Sequence, residues 1–255
     1  MDPIALFSKS VKENPAASGF VLDFDGTLSE IVLDAAEVAP VAGASEVLTE
    51  LAGKYGLVAL VSGRRAEFLA GLVDAEGVRY IGVYGAEEFV GGRLVHPPEA
   101  DRWRGTASRL ARDAEALITT EGLTGCEVEY KELAVSIHFR AAPEQGSLLV
   151  DWAQTVAPRR NFEANLGRMV VELRPAGVSK AETLRRLVAQ SGVRYLLAAG
   201  DDHADVEALL AAKDIFGQRA ITVGVASNEE PPGLREASDL VVSSPAEVVA
   251  VLGEF

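Results

Sequence analysis

Cysteine is almost missing from this chain: Cys126 is the single one among 255 residues. That excludes an internal disulfide and a cysteine-built zinc site, and the usage suits a reducing cytoplasm. Basic residues are also scarce, 24 against 38 acidic ones, for a formal charge of −14. A surface of that sign repels nucleic acid and anionic membranes, so neither is expected as a partner. Acidity does not exclude phosphate, because a few local cations and a metal decide that. No apolar run approaches the ~18 residues of a membrane span. The opening Met1-Asp-Pro-Ile-Ala-Leu-Phe7 has neither the basic n-region nor the long apolar h-region of a secretory signal. Internal repeats and low-complexity tracts are missing too. A soluble, cytoplasmic protein is expected.

What is present suffices for a full core and two domains, since 48% of residues are hydrophobic and 24% charged. Residues 1–18 read as a short polar leader broken at Asn14-Pro15. Phe20-Val-Leu-Asp-Phe-Asp-Gly-Thr-Leu28 begins as a buried strand and ends in two carboxylates. Residues 29–39 read as a loop or hairpin. A helix follows over 40–55, starting at Pro40, then a buried strand at 57–61 ending in Ser62-Gly63-Arg64. A helix carrying Phe68, Leu69 and Leu72 leads to a third strand at 79–84. Strand–helix–strand–helix–strand is the pattern of a doubly wound parallel sheet.

Near residue 97 the rhythm changes. A long helix over 103–120, strands at 127–131 and 133–140, a helix over 144–156 and strands near 161–164 and 169–173 read as an α+β insert. After Arg174-Pro175 the α/β rhythm returns, with a helix at 180–190, a strand at 195–199 ending in Gly200-Asp201-Asp202, and Asp205 one helical turn on. Strands at 221–225 and 240–242 and a helix over 245–252 complete it. The expected division is a core from 1–98 and 176–255, with an inserted domain at 99–175.

Four polar clusters fall just after strand ends or at a helix start: Asp23/Asp25/Thr27, Ser62/Arg64, Lys180, and Asp201/Asp202/Asp205. Singly, each has an ordinary explanation as a turn, a solvated lysine or a helix cap. Jointly, they supply complementary chemistry. Asp23 and Asp25, two apart on a strand, face one site at the edge where α/β sheets bind ligands. Carboxylates that close need a proton or a cation between them, and hard oxygen ligands suit Mg²⁺. A carboxylate can attack phosphorus, a second can serve as general acid and base, and hydroxyls with a lysine can hold phosphoryl oxygens. The set suffices for phosphoryl transfer without a nucleotide.

Asp-Phe-Asp-Gly-Thr, Ser-Gly-Arg, the downstream Lys and Gly-Asp-Asp-x-x-x-Asp resemble the four motifs of the haloacid dehalogenase superfamily, in family order, and the insert resembles its C2-type cap. Within that superfamily the chain looks like the trehalose-6-phosphate phosphatases. Val128-Glu129-Tyr130-Lys131, Ser136-Ile-His-Phe-Arg140 and Val171-Glu-Leu-Arg-Pro175 are similar to that family's cap segments. The resemblance implies a Rossmann-like core with a cap, Mg²⁺ as cofactor and a sugar phosphate as substrate. It implies Asp23 as nucleophile, Asp25 as general acid and base, and Ser62 and Lys180 on the phosphoryl group. The metal would be held by Asp23, Asp201 and the Asp25 carbonyl, with Asp202 and Asp205 supporting. Substrate contacts would come from Thr27, Gly63, Arg64 and Glu87 in the core, and from Glu129, Lys131, His138, Arg140 and Glu172 in the cap.

Three places depart from the family pattern without removing a catalytic group: Val83-Tyr-Gly-Ala-Glu87 replaces a Gly-x-His-Gly-like stretch, Ala181 follows the lysine, and His203-Ala204 follows Asp202. Rival readings are a phosphatase for another sugar phosphate, such as sucrose or glucosylglycerate phosphate, a phosphomutase on the same core, and a phospho-accepting receiver domain. A receiver has no cap and places its acid pair before the acceptor, which this chain does not.

Overall fold

The computed structural model describes residues 3–32, 37–167 and 169–255. Its elements, in chain order, begin with α1 (Pro3–Glu13), β1 (Ser18–Leu22), α2 (Ala44–Lys54), β2 (Leu57–Val61), α3 (Ala66–Val73), β3 (Arg79–Gly82), β4 (Glu87–Val90) and β5 (Arg93–Val95). Next come α4 (Ala100–Glu121), β6 (Glu127–Tyr130), β7 (Val135–His138), α5 (Gly146–Val156), β8 (Phe162–Gly167) and β9 (Val170–Pro175). The last are α6 (Lys180–Ser191), β10 (Tyr195–Gly200), α7 (His203–Phe216), β11 (Ala220–Val225), α8 (Leu234–Ala237), β12 (Leu240–Val242) and α9 (Pro245–Leu252). They fall into two units, Met1–Leu94 with Ser179–Phe255, and Val95–Val178.

In the first unit, unbroken apolar runs such as Leu57–Val61 form strands buried on both faces, as parallel sheets require. The sheet order is β12-β11-β10-β1-β2-β3-β4-β5. The strands from β12 to β3 run parallel, and β4 turns back antiparallel to β3. Side chains alternate across β1: Phe20 and Leu22 enter one apolar cluster with Leu48, Leu51 and Leu60, while Val21 enters the opposite one with Leu184, Leu187 and Leu209. Each fully buried Leu or Phe contributes roughly 1.5–3 kcal/mol. Strand order reverses between β1 and β10, which makes their C-terminal ends the expected ligand crevice. Leu22 lies level with Ala199, so the residues following the two strands emerge side by side.

The second unit carries an antiparallel sheet in the order β6-β7-β9-β8. Val135, Ile137, Val171 and Leu173 point from one face into a core with Leu110, Ala114, Leu149 and Ala153 of α4 and α5. The alternate residues form a polar face.

Residues 3–13, expected within a leader, are a helix instead. Phe7 and Val11, an i,i+4 pair, are buried in the β1 cluster. Strand β3 stops at Gly82 rather than at 84, because Val83 and Tyr84 take positive φ. The expected loop at 29–39 falls partly outside the described residues.

Candidate active site

Asp23 leaves the end of β1 with its N–H bonded to the Ala199 carbonyl at 3.0 Å. The chain then wraps around the Phe24 carbonyl, which accepts from Thr27, Leu28 and Ser29 N–H, while Phe24 and Leu28 anchor the turn in the core. Gly26 is required here. Its φ is +80°, and a Cβ would lie 2.0 Å from an Asp201 carboxylate oxygen. Gly200 plays the matching part after β10, where a Cβ would meet Asp205 Cγ at 2.2 Å. Gly26 therefore lets two acidic loops touch, and Gly200 lets the second of them fold back on its own Asp205.

Lys180 is the first residue of α6, with Ser179 as N-cap accepting from Glu182 N–H. A cation at a helix N-terminus opposes the helix dipole by about 0.3–1 kcal/mol. The acids it meets explain why it stands there: its buried Nζ lies 2.8 Å from Asp23, 2.9 Å from Asp205 and 3.6 Å from Asp202. Asp202 caps α7 and forms a reciprocal capping box with Asp205. Asp205 Oδ2 accepts from the N–H groups of Asp201 and Asp202, both at 3.1 Å. Asp205 thus braces the Asp201 loop and positions the lysine together.

One ammonium faces several acids. Burial, with Asp202, Asp201 and Asp25 adding to it, pushes the Asp23 carboxyl well above its usual range against the opposing Lys180 charge. Burial likewise raises Asp205. Burial by itself would lower Lys180, but Asp202, Asp205 and Asp23 overcome it and hold the ammonium protonated. Asp23, Asp201 and Asp205, all buried, offer carboxylate oxygens within 4.8 Å of one another. An all-carboxylate donor set in excess of its cation fits a hard divalent ion.

The other predicted core residues divide by environment. Asp25 is partly exposed and held by Arg64, whose Nη2 lies 2.7 Å from Oδ1 and whose Nε lies 2.7 Å from Oδ2. The Arg64 guanidinium also lies over the Phe68 ring, 5.3 Å from its centroid. Ser62 is buried at the end of β2, and its Oγ accepts from Arg64 N–H at 3.1 Å. The Thr27 hydroxyl is buried with no hydrogen-bond partner among the described residues. Glu87 is buried at the start of β4, where Oε1 accepts from Ala66 N–H at 2.8 Å and Arg65 Nε at 3.1 Å. It ties β4 to the N-terminus of α3.

The polar face of the second unit holds a separate cluster. Cross-strand register aligns Glu129, Ser136, Glu172 and Asn165 in one row. Lys131 Nζ lies 3.3 Å from Glu172 and 3.6 Å from Glu129, and Ser136 Oγ donates to Glu172 at 3.0 Å. His138 Nε2 lies 3.0 Å from Glu129. Burial would raise the Glu129 carboxyl, but His138 and Lys131 outweigh it and hold it down at about 2. Arg140 stands exposed in the turn after β7. Ser136 and Asn165 were not singled out from sequence; only strand register brings them to this row.

Parallel strands meeting at a switch point, with an aspartate after β1 and a lysine among acids, make an α/β fold similar to that of haloacid dehalogenase-like proteins. A haloacid dehalogenase-like hydrolase from Bacteroides thetaiotaomicron superposes with TM-score 0.61 at 16% identity, over 93% of this chain and 99% of that one. The C-terminal domain of Candida albicans trehalose-6-phosphate phosphatase reaches TM-score 0.80 at 21% identity, over 98% and 96%. A family profile described as trehalose-phosphatase matches residues 21–229. This chain belongs to the trehalose-phosphatase family. A trehalose-phosphate phosphatase of Mycobacterium marinum is 31% identical over 91% of this chain. The chain spans 60% of that relative's length.

Proposed function

We propose that the chain is a Mg²⁺-dependent phosphatase that releases trehalose and phosphate from trehalose 6-phosphate through a phospho-Asp23 intermediate. The observation that carries this is the buried Asp23 carboxylate, 2.8 Å from Lys180, at the switch between β1 and β10. Asp23 attacks phosphorus, and Asp25 gives a proton to the departing sugar alkoxide. Asp25 then takes a proton from the water that attacks phospho-Asp23 and frees phosphate. Lys180, Ser62 and Thr27 donate to the phosphoryl oxygens, with Arg64 steadying Asp25. When bound at Asp23 and Asp201, Mg²⁺ supplies charge neutralisation between nucleophile and phosphoryl group. The polar row on β6, β7 and β9 binds the sugar hydroxyls.

The deciding test is phosphate release from trehalose 6-phosphate, sucrose phosphate, glucosylglycerate phosphate and p-nitrophenyl phosphate, with Mg²⁺ or EDTA. Release from trehalose 6-phosphate far above the others supports the reading. Preference for another sugar phosphate keeps the chemistry and moves the substrate, and phosphate moved between positions without release makes the protein a mutase.

Metal should also be visible in stability. Carboxyls raised in the folded state stabilise most below their unfolded value of 3.8, and that contribution is lost as pH rises through their folded values. The metal-free melting temperature is therefore expected to fall as pH climbs from about 4 towards 8. Saturating Mg²⁺ should flatten the curve and add roughly 5–10 °C at pH 8. Scanning fluorimetry with EDTA or Mg²⁺ checks both, and a pH-independent curve blind to Mg²⁺ would remove the metal assignment.

Glu129→Gln tests the sugar contacts. The carboxyl is half exposed, so the fold should be little affected. KM for trehalose 6-phosphate is expected to rise about tenfold while p-nitrophenyl phosphate turnover holds. Being depressed to about 2, Glu129 contributes stability fully above about 4.5 and loses it as pH falls through about 2. Its charge, and so its share of KM, should stay constant from about pH 5 to 9. Equal losses on both substrates would argue against a sugar contact.

A further inference from the structure

The turn after β3 holds two successive non-glycine residues in the left-handed region, Val83 at φ +49° and Tyr84 at φ +60°. A β-branched residue there is a steric outlier, and such positions cost on the order of 1–3 kcal/mol each unless their surroundings enforce them. Here hydrogen bonds enforce them from two sides. Val83 N–H donates to the Arg64 carbonyl and Tyr84 N–H to the Ser62 carbonyl, both at 2.9 Å. Thr183 Oγ1 donates to the Tyr84 carbonyl at 2.8 Å, and Arg186 Nη2 donates to the Gly85 carbonyl at 3.2 Å. One side is the turn carrying Ser62. The other is the start of α6, which carries Lys180.

The side chain repeats the connection. Tyr84 is 7% exposed, and its phenol lies flush on Gly63, where a Cβ would come within 2.6 Å of the hydroxyl and 2.8 Å of Cζ. That contact requires glycine beside Ser62.

Building on the phosphatase reading, we propose that Tyr84 is a positioning residue of the phosphoryl site. Through its ring on Gly63 and its carbonyl on Thr183, it locks the Ser62 turn against the first turn of α6. This sets the separation of Ser62 Oγ and Lys180 Nζ, the two donors that must grip one phosphoryl group together. Strain is retained at this turn because a relaxed backbone would not reach both partners.

The test compares Tyr84→Gly, Tyr84→Phe and Thr183→Val with the unaltered protein. Glycine accepts φ +60° and removes the ring, phenylalanine keeps the ring, and valine removes the hydrogen bond to the Tyr84 carbonyl without touching the ring. Orthophosphate binding in Mg²⁺ is measured by calorimetry, well below each melting temperature, beside kcat and KM for p-nitrophenyl phosphate. Tyr84→Gly is expected to weaken phosphate binding and lower kcat about tenfold each, and Thr183→Val about threefold. Tyr84→Phe should stay within about twofold. A purely structural residue would move the melting temperature and leave phosphate affinity of the folded protein alone. Phosphate affinities of Tyr84→Gly and Thr183→Val equal to that of the unaltered protein would therefore overturn the proposal. An unaltered protein that binds phosphate but hydrolyses no ester would overturn the phosphatase reading instead, leaving Tyr84 to be judged on affinity.

Discussion

Asp23→Asn is expected to lower kcat by at least about 10⁴-fold while leaving the protein folded. The amide keeps the shape of the carboxylate but cannot attack phosphorus. It also removes a buried charge from a cluster where acids exceed their cation. The metal-free variant should therefore melt higher than the unaltered protein at pH 8, with the difference shrinking as pH falls and Asp23 itself takes a proton. The two readouts move in opposite directions, which separates loss of chemistry from loss of fold. Turnover within tenfold of normal would sink the nucleophile assignment. A lower melting temperature at pH 8 would show that Lys180 needs Asp23 more than Asp23 needs relief.

Lys180→Met carries the second large effect. It leaves Asp23 and Asp205 buried without the ammonium that bonds both at 2.8–2.9 Å. Removing one partner of a buried ion pair costs about 3–5 kcal/mol, so a fall in melting temperature of roughly 10 °C is expected at pH 8. Acid should recover part of it by protonating the stranded carboxyls, and Mg²⁺ should recover part by replacing the charge. The rate should fall about 10²–10³-fold through loss of a phosphoryl-oxygen donor. Adding Asp205→Asn is expected to restore stability and not rate, because it removes the stranded charge without returning a donor. Recovery of both together would reduce Lys180 to a structural role.

Local periodicity carried much of the core. The runs at 57–61 and 195–199 read as buried strands because parallel strands covered on both faces leave no polar alternation, and both form strands in the central sheet. The acidic and hydroxyl clusters were visible because each follows such a run at its C-terminal end. Other features left no local trace. Among the described side chains of helix α1, Phe7 and Val11 are held by the β1 cluster, a contact made far along the chain. The hydrogen bonds of Glu87 to the Ala66 N–H and Arg65 likewise depend on β4 lying beside α3. The positive φ of Val83 is contrary to its residue type, so propensity argued against the turn that the hydrogen bonds impose.

Which chemical groups stand at strand ends could be read from the chain alone, because strand and helix periods place a side chain from a few neighbouring residues. The α/β rhythm with its insert and the order of the four clusters were legible in the same way. How two of those groups pair comes from the assembled fold: Asp23 with Lys180 and Asp25 with Arg64. Lys180 is far from Asp23 along the chain, and Arg64 is 39 residues from Asp25. Their meeting depends on β1 lying between β10 and β2. That adjacency is a property of the assembled sheet, and no window of sequence contains it.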